Sequence, residues 1–371
     1  MLSRRYLRFT ICRRNKGTKS CRLYSTPSLR STDLVYKEYG DPSKVLHVQS
    51  ERIKLPLTAG QVRVTFLAAP INPADINMIQ GIYPIKPHLP AVGGNEGVAR
   101  VDEIGPGVTS VHVDDWVIPS AASIGTWRTH AVLNDHDIIK ISNKLPLPCA
   151  GTLMVNPASA YRMLHDYVEL APGDIVIQNG ANSAVGRNVI QIAKLCHFRT
   201  INIIRDREDL HEVDTIRKEL SALGADYVLT EREFRKTSRA LIGSFEGDIK
   251  LALNCVSGES TLMLVAALGQ RGHLVTYGGL SRRPLQVPTA PLIFKDIHVC
   301  GFWMSRWYGQ PSNRVQATSM IDWLTDHMLH DRLHSTKCTL VPFENWHQAV
   351  TDALVMSGNK QIMVMDDVSH T

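Results

Sequence analysis

Between about Val35 and Ile141 the apolar residues fall in short runs, each interrupted by Gly, Pro, Asn or Asp. Runs such as Val62–Leu67, Gly97–Ile104, Trp116–Pro119 and Thr129–Leu133 have strand length. Dense turn residues between them predict a compact, partly barrel-like β domain. Near Leu153 the spacing changes. Asn156–Glu169 carries a helical pattern, and Asp174–Asn179 is a short apolar run with acidic and glycine flanks. Val185–Cys196 repeats apolar side chains at Val185, Val189, Ile192 and Cys196, the spacing of one helix face. Thr200–Ile204, Tyr227–Leu229, Ile249–Cys255, Gly272–Thr276 and His298–Phe302 add five strand candidates, with Glu208–Leu223 a polar helix among the intervening segments. Six strands alternating with helices predict right-handed βαβ units in a doubly wound parallel sheet of the Rossmann kind.

Beyond Gly301 the alternation stops. Val315–Leu333 predicts a helix, while Thr339–Phe343 and Gln361–Met365 predict strands that pack back onto the first domain. The expected fold is therefore α/β, with a Rossmann domain inserted into a β-rich catalytic domain. Residues 31–152 form the first part of the catalytic domain, 153–310 the dinucleotide domain, and 311–371 the segment that completes the catalytic domain. Two domains also suit a chain of 371 residues.

Hydrophobic residues make up 44% of the chain and charged residues 20%, an ordinary globular composition. No run approaches the roughly 18 apolar residues of a membrane span, so no membrane insertion is expected. The net charge of +6 is misleading. Residues 1–25 hold eight Lys and Arg and no acid, which leaves 33 basic against 35 acidic side chains in the remainder. That body offers no bulk attraction to nucleic acid. A basic, acid-free leader without the apolar core of a secretory signal reads as a mitochondrial transit peptide, 1–25, although a permanently attached basic arm would look the same. The seven cysteines include no C-x-x-C pair, which fits free thiols in a reducing compartment. Cys196, Cys255 and Cys300 lie in apolar runs and are expected as buried small hydrophobes.

Candidate chemistry gathers at strand ends. Gln178–Gly186 links the first strand of the second domain to its helix through small residues. A helix N-terminus there favours a pyrophosphate, with Gly180 free to turn tightly and Gly186 allowing close helix–sheet approach. An ordinary βα turn would look similar. The second strand ends in Arg205-Asp206-Arg207, where Rossmann proteins often place a lone ribose-binding acid. Two guanidiniums suit a 2′-phosphate, so NADPH is expected over NADH; a solvated surface turn is the bland alternative.

The run Asn72–Gly81, Ile82-Tyr83-Pro84, Leu89–Gly97, Asn156–Leu164, Thr200–Arg207, Tyr277–Leu280, Gly301–Met304 and Lys360-Gln361-Ile362 together resemble the mitochondrial trans-2-enoyl-CoA/acyl-carrier-protein reductases. These are zinc-free, quinone-oxidoreductase-like members of the medium-chain dehydrogenase/reductase superfamily. The resemblance extends from Val35 to Met365 and implies a GroES-like catalytic domain. It implies that Tyr83 is the catalytic tyrosine. It implies NADPH contacts at Asn156, Asn182, Ser183, Ala184, Val185, Arg205, Asp206, Arg207, Tyr277, Gly278, Gly279, Leu280, Phe302, Trp303, Met304 and Lys360. It further implies a homodimer in the mitochondrial matrix, working in fatty acid synthesis on enoyl thioesters of acyl carrier protein or CoA. Ala184 is a departure, since similar reductases usually carry glycine there. Zinc-containing relatives have a histidine in the segment that here reads Gly94-Asn95-Glu96-Gly97, and a cysteine near Asn72–Asn77; neither is present, and no metal is expected.

An enoyl thioester is electron-poor at its β carbon. Hydride addition there leaves negative charge that needs a hydrogen-bond donor and then a proton at the α carbon, tasks a tyrosine hydroxyl can perform. Trp303, at the carboxyl edge of the sheet, is expected near the nicotinamide and the acyl groove, and Asn95 in the same cleft. Arg282, Arg283, Arg306 and Arg314 are candidates for a carrier-protein landing site, with solvated loop charges as the alternative. Two rival functions stay open at this point: a zinc-free NADPH:quinone oxidoreductase, and a non-catalytic NADPH-binding protein.

Overall fold

A computed structural model describes residues 29–120, 123–355 and 358–365. The leader assigned to residues 1–25 lies outside the described residues. The first third of the chain forms β1 (Arg30–Tyr36), β2 (Leu46–Arg52), β3 (Gln61–Pro70), β4 (Ala91–Val92), β5 (Val98–Ile104), β6 (Trp116–Pro119), β7 (His130–Asn134) and β8 (Ile138–Ile141). The expected strands of this region are present within a residue of their expected ends, except that β3 runs on past Leu67 to Pro70. β1 and β2 pair antiparallel, and β4 pairs with β1, in a small three-stranded sheet. Val62, Val64 and Phe66 of β3, a strand buried throughout from Val64 to Pro70, enter one apolar core with Leu34, Tyr36, Val101 and Trp127.

The parallel sheet follows: β9 (Ile175–Asn179), β10 (Arg199–Ile204), β11 (Tyr227–Thr230), β12 (Ile249–Asn254), β13 (Leu268–Thr276) and β14 (His298–Gly301). Its order is β11-β10-β9-β12-β13-β14, with every pair parallel. Counted from β9, that is the Rossmann order 3-2-1-4-5-6, and the crevice at the carboxyl ends of β9 and β12 is where such sheets bind ligands. Fully buried β9, apolar except for Gln178 and Asn179, needs helices on both faces. The mixed fold expected from the sequence is thus borne out.

The tail supplies β15 (Cys338–Pro342) and β16 (Lys360–Val364). β16 pairs with β15 and with β3, so the end of the described chain joins the larger sheet of the first part. That sheet runs β15-β16-β3-β5-β6-β8, with β7 also on β3. The Arg314–Leu329 helix contributes Met320, Ile321, Leu324 and Met328 to a core that contains Leu67 and Val98 from the first part and Val176, Leu251 and Val275 from the parallel sheet. One apolar core therefore bridges the two parts and fixes the cleft between them.

Three sequence expectations are corrected. The helix expected over Asn156–Glu169 ends at His165, and the one expected over Val315–Leu333 ends at Leu329. Cys255 is buried as expected, but Cys196 and Cys300 are only partly so. Cys300 lies on β14, the outermost strand of its sheet, where one flank lacks a neighbour.

Candidate active site

Strand β9 delivers the chain to the loop Gly180–Ser183, and the Ala184–Leu195 helix leaves from it. Gly180 sits at φ +60°, and a Cβ there would come within 2.8 Å of the Cys255 sulfur. A Cβ on Gly186 would lie 2.5 Å from the Ala181 carbonyl oxygen, so only glycine lets the first helical turn rest on the loop. The Ser183 hydroxyl accepts the Gly186 N–H at 3.1 Å, an N-cap. Ala184 opens the helix in ordinary helical geometry, where a methyl group costs nothing, and its carbonyl accepts from Asn188 at 2.8 Å.

Opposite this loop, Tyr277–Leu280 is tied to the segment after β12. The Tyr277 N–H donates to the Asn254 carbonyl at 3.0 Å, the Leu280 N–H to that of Cys255 at 3.1 Å, and the Ser257 hydroxyl to that of Gly278 at 3.1 Å. The fully buried Asn179 and Asn254 hold this arrangement. Asn179 Nδ2 donates to Asn254 Oδ1 at 2.9 Å, and Asn179 Oδ1 accepts the Cys255 N–H at 2.8 Å. Both asparagines close apolar strands at the same level of the sheet; that pattern was present in the sequence but not used. The Tyr277 hydroxyl is buried beside Ser183 and Cys255, and burial pushes its pKa well up.

The arginine pair is divided. Arg207 Nε donates to Glu212 Oε1 at 2.6 Å and Nη1 to the Arg205 carbonyl at 3.1 Å, while the Asp206 carboxylate accepts the Arg232 N–H at 3.2 Å. Arg205 is exposed. Of the two guanidiniums, Arg207 is paired with Glu212, while Arg205 makes no ion pair among the described residues.

Tyr83 and Trp303, 220 positions apart, meet in the cleft. The indole Nε1 donates to the Tyr83 hydroxyl oxygen at 2.7 Å, and the rings lie edge to face with centroids 5.9 Å apart. Burial raises the Tyr83 pKa, opposed by hydrogen bonding from Trp303 and Ser305, so the phenol keeps its proton. Because the oxygen already accepts from the indole, that proton is available for another acceptor. Phe302 and Met304, on either side of Trp303, are buried. A cavity of about 140 Å³ beside Trp303 is lined by Tyr167, Phe302, Arg306, Trp307 and Gln310.

Beneath Tyr83 lies a buried polar group that sequence reasoning largely missed. Asn72 Nδ2 donates to Glu96 Oε2 at 2.8 Å, and the other Glu96 oxygen accepts the Val155 N–H at 2.7 Å. The Lys360 ammonium donates to Asn72 Oδ1 and, at 3.4 Å, to the Ile71 carbonyl. Asp75 accepts the Asn72 N–H at 2.7 Å and Asn95 Nδ2 at 2.6 Å, and Asn95 Oδ1 accepts the Ser123 N–H at 2.8 Å. The Asn95 side chain expected in the cleft is thus bonded to its own surroundings. Burial raises the Glu96 pKa to about 7 and that of Asp75 to about 6, and lowers that of Lys360, against the pull of Lys360 on both acids.

These residues fit a dinucleotide. Asn156 is buried, yet its Nδ2 has no hydrogen-bond partner among the described residues, and such a group calls for a ligand or water. The loop at a capped helix N-terminus suits a pyrophosphate. Among the described residues no group of three or more His, Cys, Asp and Glu is placed to hold a metal. The segments that would carry zinc ligands hold Asn72, Asp75, Asn95 and Glu96 around the Lys360 ammonium, a cation that would repel another. The four candidate docking arginines are held at separate places: Arg306 on the Gly301 carbonyl, Arg314 on that of His136, and Arg283 beside Gly258, next to Arg282.

Residues 58–143 match the model of the alcohol dehydrogenase GroES-like domain, and residues 184–326 that of zinc-binding dehydrogenases. The chain is 44% identical to human mitochondrial enoyl-(acyl-carrier-protein) reductase over 343 residues, covering 92% of this chain and 90% of the human one. It is 43% identical to the Caenorhabditis elegans protein of that name over 333 residues, 90% of this chain and 94% of its relative. Among solved structures, the mitochondrial 2-enoyl thioester reductase Etr1p/Etr2p heterodimer of Candida tropicalis superimposes with a TM-score of 0.83 at 35% identity, over 91% of this chain and all of that one. A complex of Etr1p with NADP and crotonyl-CoA gives 0.82 at 35% identity, with the same coverage.

Proposed function

Because the chain belongs to the mitochondrial enoyl-(acyl-carrier-protein) reductase family, we propose that Tyr83 and Trp303 are the working pair of its active site. The protein is a mitochondrial NADPH-dependent reductase that saturates the 2,3 double bond of enoyl thioesters. When bound, NADPH supplies the hydride for the β carbon. The chain's own residues then have two tasks: to bind the cofactor and to manage a proton.

For the first, Asn182–Val185 at the helix N-terminus take the pyrophosphate, and Arg205, with Asp206 and Arg207 behind it, faces the 2′-phosphate. Tyr277–Leu280 and Phe302–Met304 wall the dinucleotide, while Asn156 and Lys360 offer polar groups near its reactive end. For the second, the Tyr83 hydroxyl donates to the negative charge that develops on the thioester and delivers the proton to the α carbon. The 2.7 Å bond from Trp303 carries this reading, because it orients the phenol with its proton directed outward. A donor aimed at developing charge is typically worth about 3–4 kcal/mol.

In this account the catalytic part consists of residues 31–152 and 311–371, and the cofactor part of 153–310. The substrate thioester is carried by acyl carrier protein or CoA. We read the assembly as a homodimer, supported by the apolar edge of the parallel sheet. The test of the reaction class is NADPH oxidation by the purified protein with crotonyl-CoA and with a quinone. Turnover of crotonyl-CoA alone supports the proposal; turnover of the quinone alone overturns it in favour of a quinone reductase.

A further inference from the structure

The Lys360 ammonium is held by a chain of donors and acceptors that only one arrangement of hydrogens satisfies. The Glu96 carboxylate can only accept, and its two oxygens are taken by the Val155 N–H at 2.7 Å and by Asn72 Nδ2 at 2.8 Å. A carboxamide has one donating and one accepting end. With its nitrogen turned to Glu96, Asn72 must present its oxygen to the Lys360 ammonium, which can only donate. Glu96 is fully buried and Asn72 is 4% exposed, so bulk water cannot substitute for either partner. The same carboxylate holds the Val155 N–H, one residue before Asn156 with its unpartnered Nδ2. A single buried acid therefore ties the Asn72–Lys360 pair to the backbone next to Asn156.

We infer that Glu96 is a positioning residue for Lys360: its carboxylate fixes which end of Asn72 faces the ammonium, and so where that ammonium stands for the cofactor. The inference rests on the reading of Lys360 as a cofactor contact. In Glu96→Gln the side chain keeps its size, but the amide oxygen is needed by the Val155 N–H and the amide nitrogen then faces Asn72. Asn72 must turn its oxygen toward that nitrogen and present Nδ2 to Lys360, donor against donor. Combining Asn72→Asp with Glu96→Gln repairs the pattern. The new carboxylate at position 72 accepts from the amide at position 96 and from Lys360, and the total charge of the group is unchanged. Asp is also a good residue for the helix cap that Asn72 occupies.

The experiment measures NADPH affinity by fluorescence titration at pH 8, with kcat at saturating NADPH and a thermal melt for each variant. Lys360→Met is expected to weaken NADPH binding at least tenfold. Glu96→Gln is expected to weaken it about tenfold while kcat stays within about threefold of the parent. Asn72→Asp/Glu96→Gln is expected to return the affinity to within about threefold. If Lys360→Met binds NADPH as the parent does, the cofactor role of Lys360 falls and the inference falls with it. If Lys360→Met is weak but Glu96→Gln binds normally, or the double variant stays as weak as Glu96→Gln, only the inference falls. Should Glu96→Gln fail to fold, the double variant decides alone, with parental affinity in favour and a tenfold loss against.

Discussion

Tyr83 and Trp303 were both legible in the sequence as candidates, but their contact was not, because no local pattern links side chains 220 positions apart. Asn72, Asp75 and Glu96 illustrate the converse. Each is buried at 4% exposure or less, although a polar residue at a helix start or in a loop is ordinarily expected at the surface. Only the fold reveals that they satisfy one another. Their burial has a cost that depends on pH. The Glu96 pKa is raised to about 7, mainly by desolvation, from an ordinary carboxylate value. Between about pH 4.5 and 7 the folded state therefore holds a proton that the unfolded chain has released. The associated stability is present below that window and lost as pH rises through it. Glu96→Gln removes this dependence. Relative to the parent, its stability in urea unfolding should improve by about 1–3 kcal/mol from pH 5 to pH 8, at roughly 1.4 kcal/mol per pKa unit. A difference that does not change with pH would refute this account of Glu96.

At the scale of elements, the parallel sheet was readable because its strands are short apolar runs separated by helical spacing, and because β9 is buried on both faces. The ends of helices were read less well: Asn156–His165 stops four residues before its apparent periodicity does. The ribose loop was legible as two arginines, but not the ion pair that engages Arg207 with Glu212. Strand β14 carries information that periodicity does not give. It is an edge strand, and beside it Leu292, Ile293, Phe294 and Val299 are exposed at 42%, 65%, 74% and 41%. An edge strand flanked by exposed apolar side chains invites another strand, and a second copy about a twofold axis satisfies both copies with one surface. If the proposed homodimer forms through this edge, Phe294→Asp combined with Val299→Asp is expected to shift sedimentation velocity from dimer to monomer while leaving the melt nearly unchanged. A sedimentation profile identical to the parent would place the interface elsewhere.

For the whole molecule, the decisive feature is that the proposed catalytic tyrosine and the indole that holds it come from opposite parts of the chain. The loop after the Pro73–Ile79 helix brings Tyr83, and the end of the parallel sheet brings Trp303. The core that contains Leu67, Val98, Val176 and Val275 joins those parts. Without the eight basic side chains of residues 1–25 the chain is near neutral, which offers no bulk attraction to a charged partner. The most direct measurement is turnover of crotonyl-CoA by Tyr83→Phe, with NADPH affinity determined on the same preparation. The account predicts a kcat at least about 100-fold below the parent with unchanged NADPH binding. Parental kcat in that variant would contradict it.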